Sequence, residues 1–258
     1  MVRRCLKKDE VFNVFIGYDS REPEAYDVLR ASILKHATMA VNIQKLDQRA
    51  LHHAGLYRRT WRAEGNQKID NVDNKPFSTE FSFSRFLVPA LMQWEGWGLF
   101  IDCDQLFVSD IAEMLHEMDP KKAVHVCQQR YEAVDGLKMD GMRQEKYFRK
   151  NWSSVMLFNC GHPSNKLLTP EVVNCEPGSW LHGFGWLPDG DIGDLNHGWN
   201  WIDGTTKVEP KNIHYTLGGP WFPHMRNMNA PYFEEWRKTC KSIGLWNQMC
   251  ERQDRAAA

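Results

Sequence analysis

Apolar segments with the spacing of strands and of helices alternate through the first half of the chain, and this alternation constrains the fold more than any other feature. The apolar run 11–18 is typical of a buried strand, and a segment with helical spacing begins at Pro23. Apolar runs at 41–46 and 99–101 predict two further strands, with helical spacing over 83–94 before the second of them. Strands and helices in alternation predict an α/β domain.

The pattern changes in the second half of the chain. Helical spacing over 111–118 is followed by short strands predicted at 124–126 and 155–158. From Gly161 onward, glycine, proline, tryptophan and aspartate are mixed in loops, up to a helix predicted around Trp236. This part of the chain therefore predicts a loop-rich lobe that could close a site.

The length favours one domain with two halves. We expect a single domain over residues 1–258, because one large α/β core can include a chain of this length. A Rossmann-like, mononucleotide-type layer is expected at about 10–128, and a loop-rich closing half at about 150–250. The polar, basic and poorly periodic stretch 49–76 predicts a long surface excursion.

Composition and charge exclude several classes of protein. Hydrophobic residues at 42% and charged residues at 25% are ordinary for a globular protein, and no apolar stretch approaches the roughly 20 residues of a membrane span. The 32 basic and 33 acidic residues nearly cancel, which leaves no global positive field for nucleic acid. Seven cysteines without a CxxC pair, and an N-terminus without a signal-peptide pattern, predict a cytoplasmic protein.

Two aspartates directly follow the apolar run 99–101. Asp102 and Asp104 are two residues apart, so in an extended segment their side chains face the same side. Ligands bind at the carboxyl ends of strands in open α/β sheets, and clustered carboxylates suit a hard cation such as Mg²⁺ or Mn²⁺. A strand-end turn with two solvated acids is the alternative. Because aspartate is disfavoured in strands, we predict a metal site.

Other classes of protein could use this aspartate pair. Phosphatases of the haloacid dehalogenase type also have two aspartates after an apolar strand, usually near the N-terminus and followed by a Gly-Thr pair. Here Gln105 and Leu106 follow, and a nucleotide pocket accounts better for the strands and helices upstream. A nucleotidyltransferase remains an alternative. The eleven tryptophans would suit a non-catalytic carbohydrate-binding protein, which would have little use for paired aspartates.

Four segments, taken in order, carry a resemblance to a known family. They are 15–19 (Phe-Ile-Gly-Tyr-Asp), 84–86 (Ser-Arg-Phe), 158–161 (Phe-Asn-Cys-Gly) and 214–221 (His-Tyr-Thr-Leu-Gly-Gly-Pro-Trp). With the aspartate pair, they resemble the metal-dependent glycosyltransferases of the GT-A fold, closest to the retaining glycosyltransferase family 8 of glycogenin and bacterial galactosyltransferases. The resemblance covers most of the chain. It implies a mixed, mainly parallel sheet flanked by helices, with a nucleotide-sugar-binding half and an acceptor half.

The resemblance implies a site for the uridine at the end of the first strand. Ile16, Gly17, Tyr18 and Asp19 would hold the nucleoside, with Asp19 accepting a hydrogen bond from the base or ribose. An equally good interpretation of Asp19 is a cap of the helix that follows. Arg85 matches an arginine that, in this family, steadies the aspartate pair and the donor.

The resemblance also implies the ligands of the metal. Asp102 and Asp104 would bind Mn²⁺ (or Mg²⁺), His214 from a late loop would be the third ligand, and Cys103 would lie with them in the nucleotide-sugar site. Neutral imidazole suits Mn²⁺ better than Mg²⁺. An isolated histidine is more often structural, but this one belongs to a motif.

The late loop departs from the family at one position. Gly218 and Gly219 would allow backbone amides to approach the diphosphate. A lysine ordinarily precedes the Pro-Trp pair, and Gly219 stands there instead. Arg226 or Lys207 could supply the missing positive charge.

The donor sugar would be held by residues of the second half. Asn159 resembles an asparagine that the family brings to the sugar, although a strand-end asparagine in a turn is also common. Of the acidic loop residues Asp189, Asp191 and Asp194, we expect Asp191 to face the sugar. Such acidic loops are often inert.

Together these residues imply transfer of a hexose from a UDP-sugar to a hydroxyl acceptor, carbohydrate or other. Transfer passes through an oxocarbenium-like centre that nearby carboxylates and carbonyls can stabilise. No strong base is evident, which agrees with the retaining outcome implied by the resemblance, with the leaving phosphate taking the acceptor proton. The stretch 49–76 and the tryptophan-rich second half are the expected places for the acceptor.

Overall fold

The computed structural model describes residues 6, 7, 9–129, 149 and 151–257. Within these ranges the strands are β1 (Phe12–Gly17), β2 (Val41–Leu46), β3 (Trp61–Glu64), β4 (Gln67–Asp70), β5 (Pro76–Phe77), β6 (Trp97–Ile101), β7 (Gln105–Phe107), β8 (Val124–Val126), β9 (Val155–Asn159), β10 (Ile192–Asp194) and β11 (Asn212–His214). The α-helices of the same ranges are α1 (Pro23–His36), α2 (Gln48–His53), α3 (Val88–Leu91), α4 (Pro170–Cys175), α5 (Gly178–His182), α6 (Phe233–Ser242) and α7 (Leu245–Ala257). Short 3₁₀ helices connect several of these elements.

Six strands form the main sheet, in the order β10-β8-β9-β6-β1-β2. β1 pairs in parallel with β2 and β6, and β10 with β8, whereas β9 is antiparallel to its neighbours β6 and β8. The predicted mixed, mainly parallel sheet is therefore confirmed. We call the edge where β1 and β6 end, at Gly17 and Ile101, the carboxyl edge. The amino edge is the one where they begin, at Phe12 and Trp97.

The helices predicted before and after the aspartate pair are shorter or tighter than their apolar spacing indicates. Within 83–94, Ser84–Leu87 is a 3₁₀ helix and only the short α3 follows it. Gln93 and Trp94 then take left-handed backbone conformations, with φ of 53° and 54°, which end the helix. The second helix is also 3₁₀, over Ile111–Glu117. Apolar spacing identifies the buried face but not the hydrogen-bond pattern.

The stretch 49–76 lies largely at the surface, as its polarity predicts, and it contains regular structure. It includes most of α2 and a small antiparallel sheet of order β3-β4-β5. Its Arg59 is buried and donates to the two carboxylate oxygens of Asp70 at 2.8 and 2.7 Å, and to the carbonyls of Val173 and Glu176. Arg59 and Asp70 can be buried within this surface stretch because they pair with each other and Arg59 also donates to backbone carbonyls.

A two-stranded antiparallel sheet of β7 and β11 lies next to α1. Phe107 N donates to the buried hydroxyl of Ser32 at 3.0 Å, so α1 holds β7 in place. Apolar residues of α1, β11 and α6 share one cluster, which includes Ile213 and Trp236. The late part of the chain is thereby fixed against the helix that follows β1.

Among the described residues, no helix has the length and apolar character required to cross a bilayer. The cysteines of the described ranges are free thiols, namely Cys103, Cys127, Cys160, Cys175, Cys240 and Cys250.

Candidate active site

β6 delivers Asp102 to the carboxyl edge of the main sheet. All five residues of Trp97–Ile101 are buried, so the strand runs through the core and leaves it at the first polar residue. Asp102 N donates to Ser154 O at 3.0 Å, which extends the strand pairing by one residue. The side chain of Asp102 therefore stays close to the core and is buried.

Arg85 is the buried counter-charge of Asp102. Its Nη1 lies 2.8 Å from Asp102 Oδ1 and also donates to Ser153 O at 2.8 Å, and its Cζ lies 4.9 Å from the centre of the Phe100 ring. Burial raises the pKa of Asp102, the Arg85 charge acts in the opposite direction, and the carboxylate of Asp104 raises it further. Arg85 thus contacts the aspartate pair, and its contact with a donor stays a prediction.

His214 reaches the aspartates through the pairing of β7 with β11. In this register His214 is opposite Gln105, the residue after Asp104, and Tyr215 N donates to Asp104 O at 2.9 Å. As a result, His214 Nε2 lies 3.4 Å from Asp104 Oδ1. One antiparallel pair of strands brings together residues that are far apart in the sequence.

Asn200 orients the imidazole of His214. Asn200 Nδ2 donates to Asn151 O at 2.9 Å, so its Oδ1 faces His214 Nδ1, at 2.7 Å. Nδ1 must then carry the proton, which leaves Nε2 as the lone-pair nitrogen facing Asp104. Two acceptors at 3.4 Å repel each other unless a proton or a metal ion lies between them.

The ligand atoms offered by Asp102, Asp104 and His214 all lie within 4.8 Å of one another. Asp102 Oδ1 is buried and pairs with Arg85 Nη1 at 2.8 Å. Two carboxylates and a neutral imidazole form a donor set that suits a divalent cation. The residues predicted to hold the metal are therefore brought together, and they fit such an ion.

An open cleft borders this group at Asp104. It is lined by Arg21 and Glu22 from the turn after β1, by Asp104, and by Gly218 and Phe222 from the late loop. The other lining residues are Ser78, Thr79, Phe81, Cys103, Thr216 and Leu217.

The residues predicted to hold the uridine lie at the carboxyl edge, but neighbours cover two of them. Ile16 is fully buried, and a Cβ atom on Gly17 would lie 2.5 Å from the Phe81 ring. Tyr18 is only partly buried, and Lys45 Nζ lies 4.2 Å from the centre of its ring. Packing against Phe81 is therefore sufficient reason for the glycine.

Asp19 does not cap α1. Glu22 is the N-cap residue, and within the described chain it makes no side-chain capping bond. Asp19 is fully buried; its Oδ1 accepts from Arg21 Nε at 2.9 Å, and its Oδ2 accepts from Arg21 Nη2 at 2.7 Å and from Glu80 N at 3.1 Å. Burial raises the pKa of Asp19, but the bonds and charge of Arg21 outweigh it and lower the pKa. The carboxylate is engaged by Arg21 rather than directed at a nucleoside.

The two glycines of the late loop have different roles. Gly218 has a φ of 109°, which side chains disfavour, and it lines the cleft. A Cβ atom on Gly219 would lie 2.2 Å from the Trp221 ring, so packing excludes a side chain there. This contact explains why the position cannot hold a lysine with the present Trp221 orientation.

Neither of the two cations proposed in place of that lysine lines the cleft. Arg226 is buried, and its Nη1 donates to Met249 O of α7 at 3.3 Å. Lys207 is exposed and is absent from the described lining of the cleft.

Asn159 lies at the amino edge, away from the aspartates. Because β9 is antiparallel to β6, Asn159 at the end of β9 pairs with Trp97 at the start of β6. One strand length, about 16 Å, separates it from Asp102. Its Nδ2 donates to Pro120 O at 3.0 Å and to Lys122 O at 3.2 Å. The structure therefore does not bring Asn159 to the site, since β9 begins rather than ends there.

The acidic loop is likewise outside the described lining of the cleft. Asp191 precedes β10 at the amino edge, and its Oδ2 accepts from Ser164 Oγ at 3.1 Å. Asp194 ends β10 and accepts from Gln128 N at 2.9 Å, whereas Asp189 is exposed. The proposed sugar contact of Asp191 is not supported, because the parallel pairing of β10 with β8 places its start at the amino edge.

The start of β9, which the sequence reasoning did not include, lies at the carboxyl edge. The carbonyls of Ser153 and Ser154 accept from Arg85 and from Asp102 N, and Ser153 Oγ lies 2.8 Å from His182 Nδ1. The one signal for these residues was their position just before an apolar run. If the direction of β9 had been predicted, its first residues rather than its last would have been expected at the carboxyl edge.

Comparison with known proteins gives the family. No protein-family model matches the chain. The chain is 43% identical over 248 residues to Protein CDI of Arabidopsis thaliana, a match that covers 93% of this chain and 86% of that protein. The chain belongs to the Protein CDI family. The sheet and the aspartate–histidine group described above therefore belong to a member of the Protein CDI family.

Solved structures similar to this Protein CDI family member are glycosyltransferases. The galactosyltransferase LgtC, in complex with donor and acceptor sugar analogs, has a TM-score of 0.54 at 14% identity, covering 90% of this chain and 96% of that one. GlyE of Streptococcus pneumoniae TIGR4 has a TM-score of 0.55 at 16% identity, covering 95% and 64%. The bifunctional WbbM also reaches 0.55 at 16% identity, covering 92% and 53%. The chain thus spans about half of WbbM and under two thirds of GlyE. At these identities the likeness shows the fold, which is of the GT-A type.

Proposed function

We propose that the protein is a divalent-metal-dependent glycosyltransferase that moves a hexose from a UDP-sugar to a hydroxyl acceptor, with retention of the anomeric configuration. The supporting observation is the group of Asp102, Asp104 and His214 beside a cleft at the carboxyl edge of a GT-A-type sheet. Membership of glycosyltransferase family 8 is part of the proposal and rests on the sequence resemblance.

The metal would be held by the two carboxylates and by His214 Nε2. Mn²⁺, or Mg²⁺, bound there would neutralise the charge that develops on the departing UDP. The chain prepares these ligands in advance: Arg85 fixes the Asp102 carboxyl, and Asn200 fixes the imidazole so that Nε2 faces Asp104. Ligands that are already oriented need little reorganisation when the donor binds.

The nucleotide-sugar would bind in the cleft between the turn after β1 and the late loop. Gly218 allows the backbone to approach the diphosphate closely, because it has no side chain and its φ is positive. A retaining front-side displacement requires no protein base, since the departing phosphate takes the acceptor proton. Glu22 and Asp104 are the carboxylates in the described lining of the cleft.

A thermal-unfolding panel of nucleotide-sugars, with and without Mn²⁺, tests the proposal. A bound donor stabilises the native state by mass action, by about 2.7 kcal/mol at a concentration of 100 times Kd. We expect a UDP-sugar to raise the unfolding temperature only when Mn²⁺ is present, and Asp104→Asn to abolish the increase. Stabilisation that is unchanged in excess EDTA contradicts the proposal. Release of phosphate from a simple aryl phosphate would indicate a phosphatase instead.

The stereochemical part has its own test. Proton NMR of the first transfer product distinguishes the two anomers, and we expect the configuration of the donor. An inverted product would contradict retention while leaving the metal-dependent transfer in place.

We also propose a cytoplasmic location. The free thiols in the described part of the chain support it, because thiols persist in reducing compartments. Fluorescence microscopy of the tagged full-length protein would test this location.

A further inference from the structure

We infer that Arg21 supplies the cation that contacts the diphosphate of the nucleotide-sugar, in place of the lysine that the late loop lacks. This inference rests on the proposed function, because it assigns a residue to the same site. In this inference, the positive charge that contacts the diphosphate comes from the turn that directly follows β1 rather than from the late loop.

Arg21 is in the right place for this contact. It lines the same cleft as Asp104 and Gly218, and it is the one lysine or arginine in the described lining of that cleft. A diphosphate bound to a metal beside Asp104 must lie in this cleft. The positively charged guanidinium can donate charge-assisted hydrogen bonds to phosphate oxygens.

The buried Asp19 holds the Arg21 guanidinium in a fixed orientation. The pair is bidentate, with Nε to Oδ1 at 2.9 Å and Nη2 to Oδ2 at 2.7 Å, and Nη2 also donates to Ser78 O. Asp19 is fully buried, whereas the Arg21 side chain is 36% exposed. One edge of the guanidinium is therefore anchored in the protein, and the partly exposed side chain lines the cleft.

The charges around the cleft favour an added cation. Glu22 and Asp104 contribute negative charge to the lining, and a diphosphate would bring more. α1 begins at Pro23, two residues after Arg21, and its N-terminus adds a positive dipole end. Arg21 and this helix end would act together with the metal to balance the phosphates. The packing of Gly219 against Trp221 explains why the charge comes from elsewhere.

A ligand series with increasing phosphate number tests the role of Arg21. Calorimetric titration in the presence of Mn²⁺ would measure the Kd of uridine, UMP and UDP for the wild type, Arg21→Gln and Arg21→Lys. We expect Arg21→Gln to weaken UDP binding about 10- to 100-fold, as for loss of a charged hydrogen bond. We expect uridine binding to change less than about threefold. Arg21→Lys should be intermediate, because it retains the charge but loses the bidentate pair with Asp19 that orients the cation.

Removal of Arg21 alone leaves Asp19 buried and unpaired, which can destabilise the fold. The double variant Asp19→Asn with Arg21→Gln removes both charges, and thermal unfolding checks that it is folded. Arg62→Gln, at an exposed ion pair with Glu64, is the matched surface control, and its ligand series is expected to match the wild type.

Two results would overturn the inference. Equal losses for uridine, UMP and UDP in both Arg21 variants would show that the residue acts on the nucleoside or on the fold rather than on phosphate. Wild-type affinity for UDP in the folded double variant would remove Arg21 from the site while leaving the proposed function intact. A wild-type protein that binds no UDP in Mn²⁺ would overturn the proposed function itself, and this inference with it.

Discussion

The two edges of the main sheet both carry buried polar side chains, but they use them differently. At the amino edge, Asn159 and Asn165 donate to backbone carbonyls, and Trp186 Nε1 donates to Asn165 Oδ1 at 3.1 Å. At the carboxyl edge, the acceptor atoms of Asp104 and His214 face each other at 3.4 Å. The amides of the first edge bond to groups of the protein, whereas the second edge brings together groups that suit a cation.

This difference separates structural polar residues from candidate functional ones. Buried amides are costly unless they are bonded, and at the amino edge they satisfy carbonyls where strands end. Buried carboxylates that converge without an equal number of donors are costly, and a bound cation would relieve that cost. The sequence showed polar residues at strand ends in both places. The bonding partners decide which of them can act on a ligand.

The largest effect is on activity, and it is expected when an aspartate is replaced by asparagine at the carboxyl edge but not at the amino edge. Asp104→Asn should lower metal-dependent sugar transfer at least about 1,000-fold, since metal charge stabilisation is worth several kcal/mol. Asp191→Asn, at the amino edge, should stay within about twofold of the wild type. Rates measured at saturating Mn²⁺ and in excess EDTA provide the comparison. A similar loss of transfer rate in both variants would show that the two edges do not differ in function.

The second effect is on stability and concerns His125 near the amino edge. His125 is 2% exposed and accepts from Asp119 N at 3.0 Å, and burial lowers its pKa from 6.5 to about 4, against a smaller opposing effect of Asp119. Below pH 6.5 the unfolded chain therefore binds more protons than the folded one. The free energy of unfolding should fall by about 3 kcal/mol from this group as the pH goes from 6.5 to 4.

Urea unfolding at several pH values measures this effect. The His125→Gln variant should show a correspondingly shallower loss of stability below pH 6.5, whatever its stability at neutral pH. An identical pH dependence in both proteins would show that His125 is not buried in its neutral form.

A smaller effect is expected at the residue that orients the metal ligand. Asn200→Ala should weaken Mn²⁺ binding about 10- to 100-fold, as is typical when the partner of a ligating histidine is removed. His214→Ala should weaken it at least as much. Asn200 ends the 3₁₀ helix His197–Asn200, and Asn196 caps that helix by accepting from Gly198 N, so Asn196→Ala is a suitable control. Calorimetric titration with Mn²⁺ would show the order, and unaltered binding in His214→Ala would make that residue structural.

The smallest effect on transfer is expected at Asn159. Asn159→Ala should lower the free energy of unfolding by about 1 to 3 kcal/mol, because two bonds to buried carbonyls are lost. The value of kcat/KM should stay within about twofold. If the variant keeps its stability but loses more than tenfold in kcat/KM, Asn159 contacts the sugar. The amino edge would then also take part in the reaction.

Much of the fold could be predicted, because burial leaves a periodic pattern in the sequence. The run 99–101 and the spacing around Ser32 correctly indicated a buried strand and a packed helix. Strand direction was harder, since the alternation of side chains is the same in both directions. Asn159 was correctly expected at the end of its strand, but because β9 is antiparallel to β6 that end lies at the amino edge, away from the aspartates.

The sequence by itself determined which residues enter the core, where Asp102 and Asp104 leave it, and therefore where a cation could bind. Only the tertiary structure decided what accompanies them. The antiparallel pairing of β7 with β11 brings His214 to Asp104, and the reversed β9 brings Ser153 rather than Asn159 to the carboxyl edge. The physical reason is that apolar periodicity reports the burial of each segment, whereas register and direction arise from hydrogen bonds between segments that are distant in the chain.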